Sequence, residues 1–354
     1  MNKEIVLRLE SIISNIYSYL PFNENLIIFK ERLYDKNLHN NTYKCLLKQL
    51  IRGFELYLNN LDEELDYDII NINLFNNMIS LKSSKNPSGF YIYPTDRRLK
   101  DVIKKIKNVN DINDLPINLT HLTFYDYFNR PINENVLPKS LTHLTFGFYF
   151  NRPINENVLP NSITHLTFRY QFNQKINENI LPNSLTHLTF GSFFNQPIKE
   201  NVLPNSLTHL TFGFDFNQPI NENILPKNLT HLTFGYCFNQ PINENILPKN
   251  LTHLTFGSYF NQSINENVLP KNLTHLILSD KFNQTIKENV LPQNLTYLEL
   301  GGNKEFNFEG FNKPINIGVL PNSLKLIIIK KESQKLLILD DKFKNIVKLF
   351  VIKN

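Results

Sequence analysis

Residues 203–224 read L-P-N-S-L-T-H-L-T-F-G-F-D-F-N-Q-P-I-N-E-N-I, and residues 225–246 repeat them with few changes as L-P-K-N-L-T-H-L-T-F-G-Y-C-F-N-Q-P-I-N-E-N-I. The Leu-Pro pair that opens this unit occurs nine times at intervals of 22 residues, at Leu115, Leu137, Leu159, Leu181, Leu203, Leu225, Leu247, Leu269 and Leu291. Fixed periods of roughly 20 to 50 residues are typical of solenoids, whose units bury their apolar faces only against neighbouring units. We therefore expect the function of this chain to lie on a surface rather than in a pocket.

The repeat changes near its C-terminal end. A tenth Leu-Pro pair begins at Leu320, 29 residues after Leu291, which indicates one unit plus a seven-residue insertion around Asn303 to Glu309. An insertion between stacked units has to loop outward. The L-x-x-I-x-I spacing of residues 324–329 then returns 22 residues later as I-x-x-L-x-V. We interpret residues 331–354 as a degenerate eleventh unit that caps the C-terminus.

One strand is predicted in each unit. In residues 141–146, the apolar pair Leu144 and Phe146 alternates with His143 and Thr145, which is the period-two pattern of a strand with one buried face. Leu144 and Phe146 should point inward, and His143 and Thr145 should point outward. Stacked units of this kind form a parallel sheet with strands about 4.8 Å apart.

The second half of each unit is predicted to return the chain to the next strand. Phe150, Ile154 and Val158 are spaced by four residues, which suits a short helical or irregular segment. Pro153 and Pro160 limit any helix there to a turn or two. We therefore expect the α+β repeat class of fold.

A recurring motif identifies a family resemblance. The run F-N-Q-P-I at residues 216–220 has variants from F-N-R-P-I at 128–132 to F-N-K-P-I at 311–315. It resembles the hallmark of the FNIP repeat family, a 22-residue relative of leucine-rich repeats. The L-x-x-L-x-L spacing of residues 119–124 also fits the leucine-rich template. The resemblance covers about residues 113–329 and implies a leucine-rich-repeat-like solenoid with one parallel sheet.

One histidine occupies the same outward strand position in each unit. We predict a row of rings there and take part of it as a candidate protein-binding face: His143, His165, His187, His209, His231 and His253. Metal binding between neighbouring imidazoles, and with it a metal-dependent hydrolase, is the alternative to a solvated or stacked row. Because protonation would place like charges on adjacent strands, we expect mild acid to weaken the sheet.

The three positions before each Phe-Asn pair vary between units. They follow the strand, where leucine-rich proteins carry much of their recognition, and large aromatic rings there are typical of protein-binding surfaces. The candidates are Tyr149, Tyr170, Phe193, Phe214, Tyr236 and Tyr259. The alternative is that some of these rings pack over neighbouring coils. Binding of nucleic acid is not expected, because the variable positions carry only two cations, Arg169 and Lys281.

The N-terminal region has helical rather than repeat spacing. Residues 12–30 resemble the middle of an F-box, the module by which adaptors bind the Skp-type linker of cullin-based ubiquitin ligases, although the opening Leu-Pro and the later Trp of that motif are missing. The resemblance implies a ligase-docking face that contains Ile16, Leu20, Pro21 and Leu26. The alternative is a helical cap for the solenoid.

Four segments follow from these patterns. Residues 1–65 form a small helical domain with a degenerate F-box, residues 66–112 form a linker and an N-terminal cap helix, residues 113–330 form the solenoid, and residues 331–354 form the C-terminal cap. The cap helix is predicted from the helical spacing of Leu99, Val102, Ile103 and Ile106.

The composition limits the classes of protein. The chain has 354 residues, of which 41% are hydrophobic and 19% are charged, and its formal charge of +5 is small for that length. No apolar run reaches the roughly 18 residues of a membrane span, and residues 1–20 do not read as a signal peptide. We expect an intracellular, cytoplasmic protein with no membrane partner. Cys45 and Cys237 are expected to be free thiols.

No catalytic motif is found, and we expect neither an enzyme nor a cofactor. There is no Gly-Lys-Ser phosphate loop, and no Cys-His or Ser-His pair lies in a distinctive motif. The leading hypothesis is a protein-interaction solenoid that recruits a substrate to a cullin-type ligase, with a Skp-type linker and cullin as further partners. The alternatives are a scaffold without any link to a ligase and the metal-dependent hydrolase mentioned above.

Overall fold

The protein was analysed as a computed structural model that describes residues 80–82, 105–109, 112, 115–278, 280–301, 311–330 and 347–350. The chain divides into two compact units, Met1–Thr123 and Phe124–Asn354. In the first unit, β1 (Ser80–Lys82) pairs in parallel with β2 (Lys105–Val109), so that Leu81 lies opposite Ile106. Strand β3 (His121–Phe124) spans the boundary between the two units.

The predicted N-terminal cap helix is wrong at its C-terminal end. Ile106, which the helical spacing assigned to that helix, lies in strand β2. A parallel ladder rather than a helix therefore satisfies the backbone hydrogen bonds of residues 105–109. Leu99, Val102 and Ile103 lie outside the described residues, as does the whole helical domain predicted for residues 1–65.

The second unit is built on a run of parallel strands, one from each repeat. Their bounds are β4 (His143–Thr145), β5 (His165–Thr167), β6 (His187–Thr189), β7 (His209–Thr211), β8 (His231–Thr233), β9 (His253–Thr255), β10 (His275–Leu278), β11 (Tyr297–Leu300), β12 (Leu326–Lys330) and β13 (Val347–Phe350). Each pairs with the next along the chain. From β4 to β11 the offset is one repeat, as in the pairing of His143 with His165. The predicted parallel-sheet solenoid is confirmed.

The sheet continues past the insertion. Leu298 in β11 lies opposite Ile327 in β12, so the sheet takes up the whole 29-residue spacing without losing a strand. Residues 303–309, predicted to loop outward, lie outside the described residues. The eleventh unit supplies β13, but Ile327 lies opposite Val347 rather than Leu349. The predicted offset of 22 residues is therefore wrong by two.

The return segments contain no helix between residues 124 and 301, within the described part of the chain. Phe150, Ile154 and Val158 are buried as predicted, but turns and irregular backbone carry them. Each return segment changes direction at the last Asn of N-E-N. The backbone is left-handed there, with φ of 61° at Asn157 for example. Asn tolerates this conformation better than other non-glycine residues. The α part of the predicted class is therefore wrong for these units, and the only helical turn among the described residues is the 3-10 helix Ile317–Val319.

Two rows of phenylalanine form the core. In the seven units from Phe124 to Phe256, the Phe at the end of the strand stacks on the Phe of Phe-Asn, with ring centroids 3.9 Å apart for Phe212 and Phe216. Successive rings of the second row lie about 6.1 Å apart, as for Phe216 and Phe238. Both rows are almost fully buried. The Phe of Phe-Asn thus forms one buried row, and the Phe at the end of the strand forms a second row beside it.

The Asn of Phe-Asn links each unit to the next. Oδ1 of Asn217 accepts a hydrogen bond from the backbone N–H of Asn239 at 2.9 Å and from Nε2 of Gln240 at 3.1 Å. The same bond connects the units from Asn129 to Asn312. The side chains thus satisfy backbone donors that the irregular coils leave without partners.

Candidate protein-binding surface

The outward face of the strands carries a stack of histidine rings. We call the seven imidazoles at the first position of β4 to β10 the His ladder: His143, His165, His187, His209, His231, His253 and His275. Successive ring centroids lie 4.1 to 4.2 Å apart with interplanar angles of 10° to 12°. The rings are half-buried, because each shields the faces of its neighbours. The sequence left open whether the rings are separately solvated or stacked, and the structure contains the stacked row.

A threonine fixes the orientation of each ring. The hydroxyl of Thr164 lies 2.9 Å from Nδ1 of His165 and 3.2 Å from the carbonyl oxygen of Thr142. That carbonyl already accepts the backbone N–H groups of Thr164 and His165. The hydroxyl donates its proton to that carbonyl and therefore accepts a hydrogen bond from Nδ1–H of the neutral ring. The same pair of threonine contacts recurs at His187, His209, His231, His253 and His275.

The surroundings of the ladder favour neutral imidazoles. Burial and, to a smaller extent, the neighbouring histidines together lower the pKa of His231 from 6.5 to about 4. Burial also lowers the pKa of His165, His187, His209 and His253. Every Coulombic contribution to these shifts comes from another histidine. A proton added to one of these five rings is therefore opposed by burial and, at four of them, by the neighbouring imidazoles.

A second row of side chains follows the strands. We call these rings the aromatic ridge: Tyr127, Phe148, Tyr149, Tyr170, Phe193, Phe214, Tyr236 and Tyr259. All six residues predicted from the variable positions belong to it; five of them are exposed, and Tyr236 is half-buried. Sequence reasoning missed Tyr127, which is 65% exposed, and Phe148. The signal was present, because both are aromatic residues at the same variable positions.

The rings of the ridge support one another. Tyr127 stacks on Tyr149 with centroids 4.7 Å apart, and Phe148 stacks on Tyr170 at 4.5 Å. In the later units, Phe214 stacks on Tyr236 at 4.4 Å. The alternative reading, in which rings pack over neighbouring coils, therefore also holds. Packing along the ridge nevertheless leaves large apolar areas in contact with solvent.

The cations beside the ridge are already engaged. Arg169 pairs with Asp126 two units away, and both side chains are nearly half exposed. Nζ of Lys281 lies 3.4 Å from the centroid of the Tyr259 ring. These contacts leave little positive charge beside the ridge for phosphate groups.

The described residues contain no group of three or more His, Cys, Asp or Glu side chains that could hold a metal ion. The ladder explains this geometrically: parallel stacked rings direct their lone pairs in parallel and not toward a common point. The thiol of Cys237 is free and half-buried, and burial raises its pKa. Such a thiol is a poor nucleophile.

Other features of the surface carry less chemistry. A polar groove of about 460 Å³ lies between the N-E-N and Leu-Pro turns of the early units, and Lys139 is the one charged side chain among its lining residues. Ile16, Leu20, Pro21 and Leu26, predicted to bind a ligase linker, lie outside the described residues. In the part of the chain that is described, no helix has the length and apolarity needed to cross a membrane.

Two solved structures and one family model are similar to this chain. The structure of CroV588, a novel circular LRR protein, is 56% identical over 63% of this chain and 35% of that chain, with a TM-score of 0.53. YopM from Yersinia enterocolitica WA-314 is 22% identical over 73% of this chain and 63% of that chain, with a TM-score of 0.33. This chain therefore spans less than two thirds of either protein, and none of the curated proteins matches it. The model of the FNIP repeat matches residues 111–149, 150–193, 194–237, 238–281, 260–303 and 282–332. The chain belongs to the FNIP repeat family.

Proposed function

We propose that this protein is an interaction module that captures a protein partner on the aromatic ridge and the adjoining His ladder. The observation that carries the proposal is the exposure of the ridge. Tyr149, Tyr170, Phe193, Phe214 and Tyr259 are 36% to 48% exposed although each lies in a regular, closely packed solenoid. Isolated exposed apolar residues are ordinary, but a row that supplies one from each of several successive units is typical of an interaction site.

The chemistry of the ridge suits a protein surface. Tyr and Phe supply large contact areas at a small cost in side-chain entropy, and aromatic rings dominate the binding energy of many interfaces. Because neighbouring rings already hold one another in place, little ordering remains to be done when a partner binds. Thr and His side chains beside the ridge add hydrogen-bonding groups along the same face.

Affinity capture from host-cell lysate tests this proposal. The bait is the full chain, compared with the double variant Phe214→Ser, Tyr236→Ser and with a control variant, Glu222→Gln, on an exposed turn. Proteins recovered by the wild type and the control but lost from the double variant are ridge partners. Identical recovery by all three baits would contradict the proposal, provided that circular dichroism shows the same fold for each.

A finer version of the proposal is that the module presents its partner to a cullin-based ubiquitin ligase. The F-box resemblance of residues 12–30 supports it. The test is recovery of a Skp-type linker and cullin by the full chain, compared with the variant Leu20→Asp. Loss of these subunits alone, with ridge partners retained, is the expected result. If no ligase subunit is recovered with the wild type, the protein is a scaffold without a link to a ligase.

A further inference from the structure

The variable positions of the aromatic ridge repeat every three coils. The middle residues of six successive variable triplets read F-Y-S twice: Phe148, Tyr170, Ser192, Phe214, Tyr236 and Ser258. Where the middle residue is Ser192 or Ser258, an aromatic residue follows it, Phe193 or Tyr259. The solenoid repeats every 22 residues and does not by itself require this threefold longer period.

The ring contacts follow the same longer period. We call one set of rings the first module and the other the second module: Phe148, Tyr170 and Phe193, then Phe214, Tyr236 and Tyr259. The first two rings of each module stack, with centroids 4.5 Å apart and an interplanar angle of 8° in the first module and 4.4 Å and 6° in the second. The third ring is tilted against the second by 49° in the first module and by 57° in the second. Among the described residues no ring contact joins Phe193 to Phe214. The ridge therefore contains two copies of one three-ring site, three coils or about 14 Å apart.

We propose that the aromatic ridge associates with the ridge of a second copy of this chain, antiparallel and about a two-fold axis between the two modules. The inference rests on the proposed function, since it names the partner of the same ridge. A site that occurs twice fits a partner with the same spacing, and a second copy has that spacing. A two-fold axis between the modules sets the first module of each copy opposite the second module of the other.

The side chains that meet in this arrangement are complementary in size. With the axis midway between the coils of Ser192 and Phe214, Phe214 lies opposite Ser192 of the second copy. Tyr170 lies opposite Tyr236 of the second copy, and the remaining middle residues repeat these two combinations. Large rings thus face small side chains or other rings at all six middle positions, and no serine faces a serine. Interfaces are built from such close complementarity of shape.

The charges beside the ridge favour the antiparallel direction. Asp126 lies in the first variable triplet and Lys281 in the eighth, so the axis sets Lys281 opposite the coil of Asp126 in the second copy. It also sets Asp215 one coil away from Arg169 of the second copy. Asp280 is fully buried and does not reach this face. With the two ridges parallel, Lys281 would instead face Lys281, and such like charges select against a pairing.

The exposed ring surface is sufficient for a weak dimer. Six rings of the ridge are 36% to 65% exposed. At roughly 200 Å² for an aromatic side chain, they leave about 500 Å² of ring surface to solvent in one protomer. The pair therefore buries about 1,000 Å², which is the lower bound of a specific interface. We expect a dissociation constant of roughly 10 to 100 µM.

Sedimentation equilibrium of the full chain from about 5 µM to about 500 µM tests the association. We expect the weight-average mass to rise from 41.6 kDa toward twice that value. The variant Phe214→Ser, Tyr236→Ser, which lacks the stacked pair of the second module, should stay at 41.6 kDa. The control Glu222→Gln, on an exposed turn, should associate as the wild type does. A wild type that stays monomeric at every concentration overturns the inference, and so does equal association by a double variant that circular dichroism shows to be folded.

Cross-linking tests the antiparallel register. The axis sets Gln171 opposite Cys237 of the second copy, since these residues hold the same variable position three coils apart. A short bismaleimide should therefore join the variant Gln171→Cys, Cys45→Ser into covalent dimers. The control Cys45→Ser keeps Cys237 and should not be joined, because the two Cys237 residues of the dimer lie about 14 Å apart along the ridge. Covalent dimers of the control, or none of the double variant when a monofunctional maleimide modifies both of its thiols, contradict the register.

The inference and the proposed function fail separately. If the wild type is monomeric but recovers proteins from lysate through the ridge, the inference is overturned and the proposed function stands. If the wild type dimerises through the ridge and recovers no other protein, the inference holds and the interaction module serves self-association alone.

Discussion

Acid should destabilise the solenoid through the His ladder. Burial and neighbouring rings lower the folded-state pKa of His231 to about 4, while its unfolded-state pKa stays near 6.5. The unfolded chain therefore binds more protons below pH 6.5. The stability that the neutral ring contributes is complete above pH 6.5, and it is lost as the pH falls from 6.5 toward 4.

The size of the loss follows from linkage. At pH 5.5 an unfolded imidazole is about ten times more often protonated than not, which favours the unfolded state by about 1.4 kcal/mol per ring that stays neutral in the fold. Solvent screening at a half-buried site reduces this to about 1 kcal/mol for His231. A change of that size lowers Tm by about 2 to 4 °C in a domain of this length. His165, His187, His209 and His253 act in the same direction, so the decrease for the whole ladder is larger.

Thermal melts followed by circular dichroism at pH 7.5 and pH 5.5, at equal ionic strength, measure this effect. The matched comparison is the triple variant His187→Gln, His209→Gln, His231→Gln, which keeps hydrogen-bonding side chains but loses three titrating rings. We expect a clearly smaller decrease of Tm in the variant. Equal Tm at the two pH values for the wild type, or equal decreases for both proteins, would refute the reasoning.

Three further predictions concern the repeat itself. Phe216→Ala should destabilise the fold by about 3 to 5 kcal/mol in urea unfolding, because Phe216 is fully buried. The control Phe214→Ala, two residues away at a side chain that is 48% exposed, should change stability far less. Similar losses for both variants would contradict the two-row core. Asn217→Ala should lower the free energy of unfolding by about 1 to 3 kcal/mol, since it leaves the N–H of Asn239 without its acceptor. Asn217→Asp keeps an acceptor oxygen and should lower it less. The reverse order in thermal melts would argue against this hydrogen bond as a link between units. Asn223→Val should lower the free energy of unfolding by about 1 to 2 kcal/mol, because φ is 63° at this residue. Asn223→Gly should leave stability nearly unchanged. Equal Tm values for the two variants would show that this turn is not constrained.

The sheet could be predicted from the sequence because the repeat shows the strand pattern eight times over. Leu144 and Phe146 are buried and His143 is half-exposed, as the alternation indicates. The return segment was harder, because a spacing of four between Phe150, Ile154 and Val158 suits a helix as well as a series of turns. What decides between them is the left-handed Asn157, a conformation that hydrophobic spacing does not report.

The candidate site was predictable in part. The variable positions identified most of the ridge, because comparison of units within one chain separates residues that the solenoid requires from those that it does not. The contacts could not be foreseen in the same way. Whether Tyr149 stacks on Tyr127 or faces solvent depends on the distance between coils, and whether a histidine row is stacked or separate depends on Thr164 and its equivalents, whose hydroxyls hold the rings.

The uniform register of the Asn and Phe contacts has a consequence for how such a protein changes over time. The Asn bond uses the same atoms at each interface from Asn129 to Asn312, so removal of residues 203–224 would join Val202 to Leu225 and bring Asn195 opposite Asn239 in an unchanged bond. Gene duplication or loss of whole 22-residue segments therefore alters the length of the molecule without requiring any compensating mutation. Each event adds or removes one histidine and one variable triplet, so the recognition face is adjustable in steps of one coil.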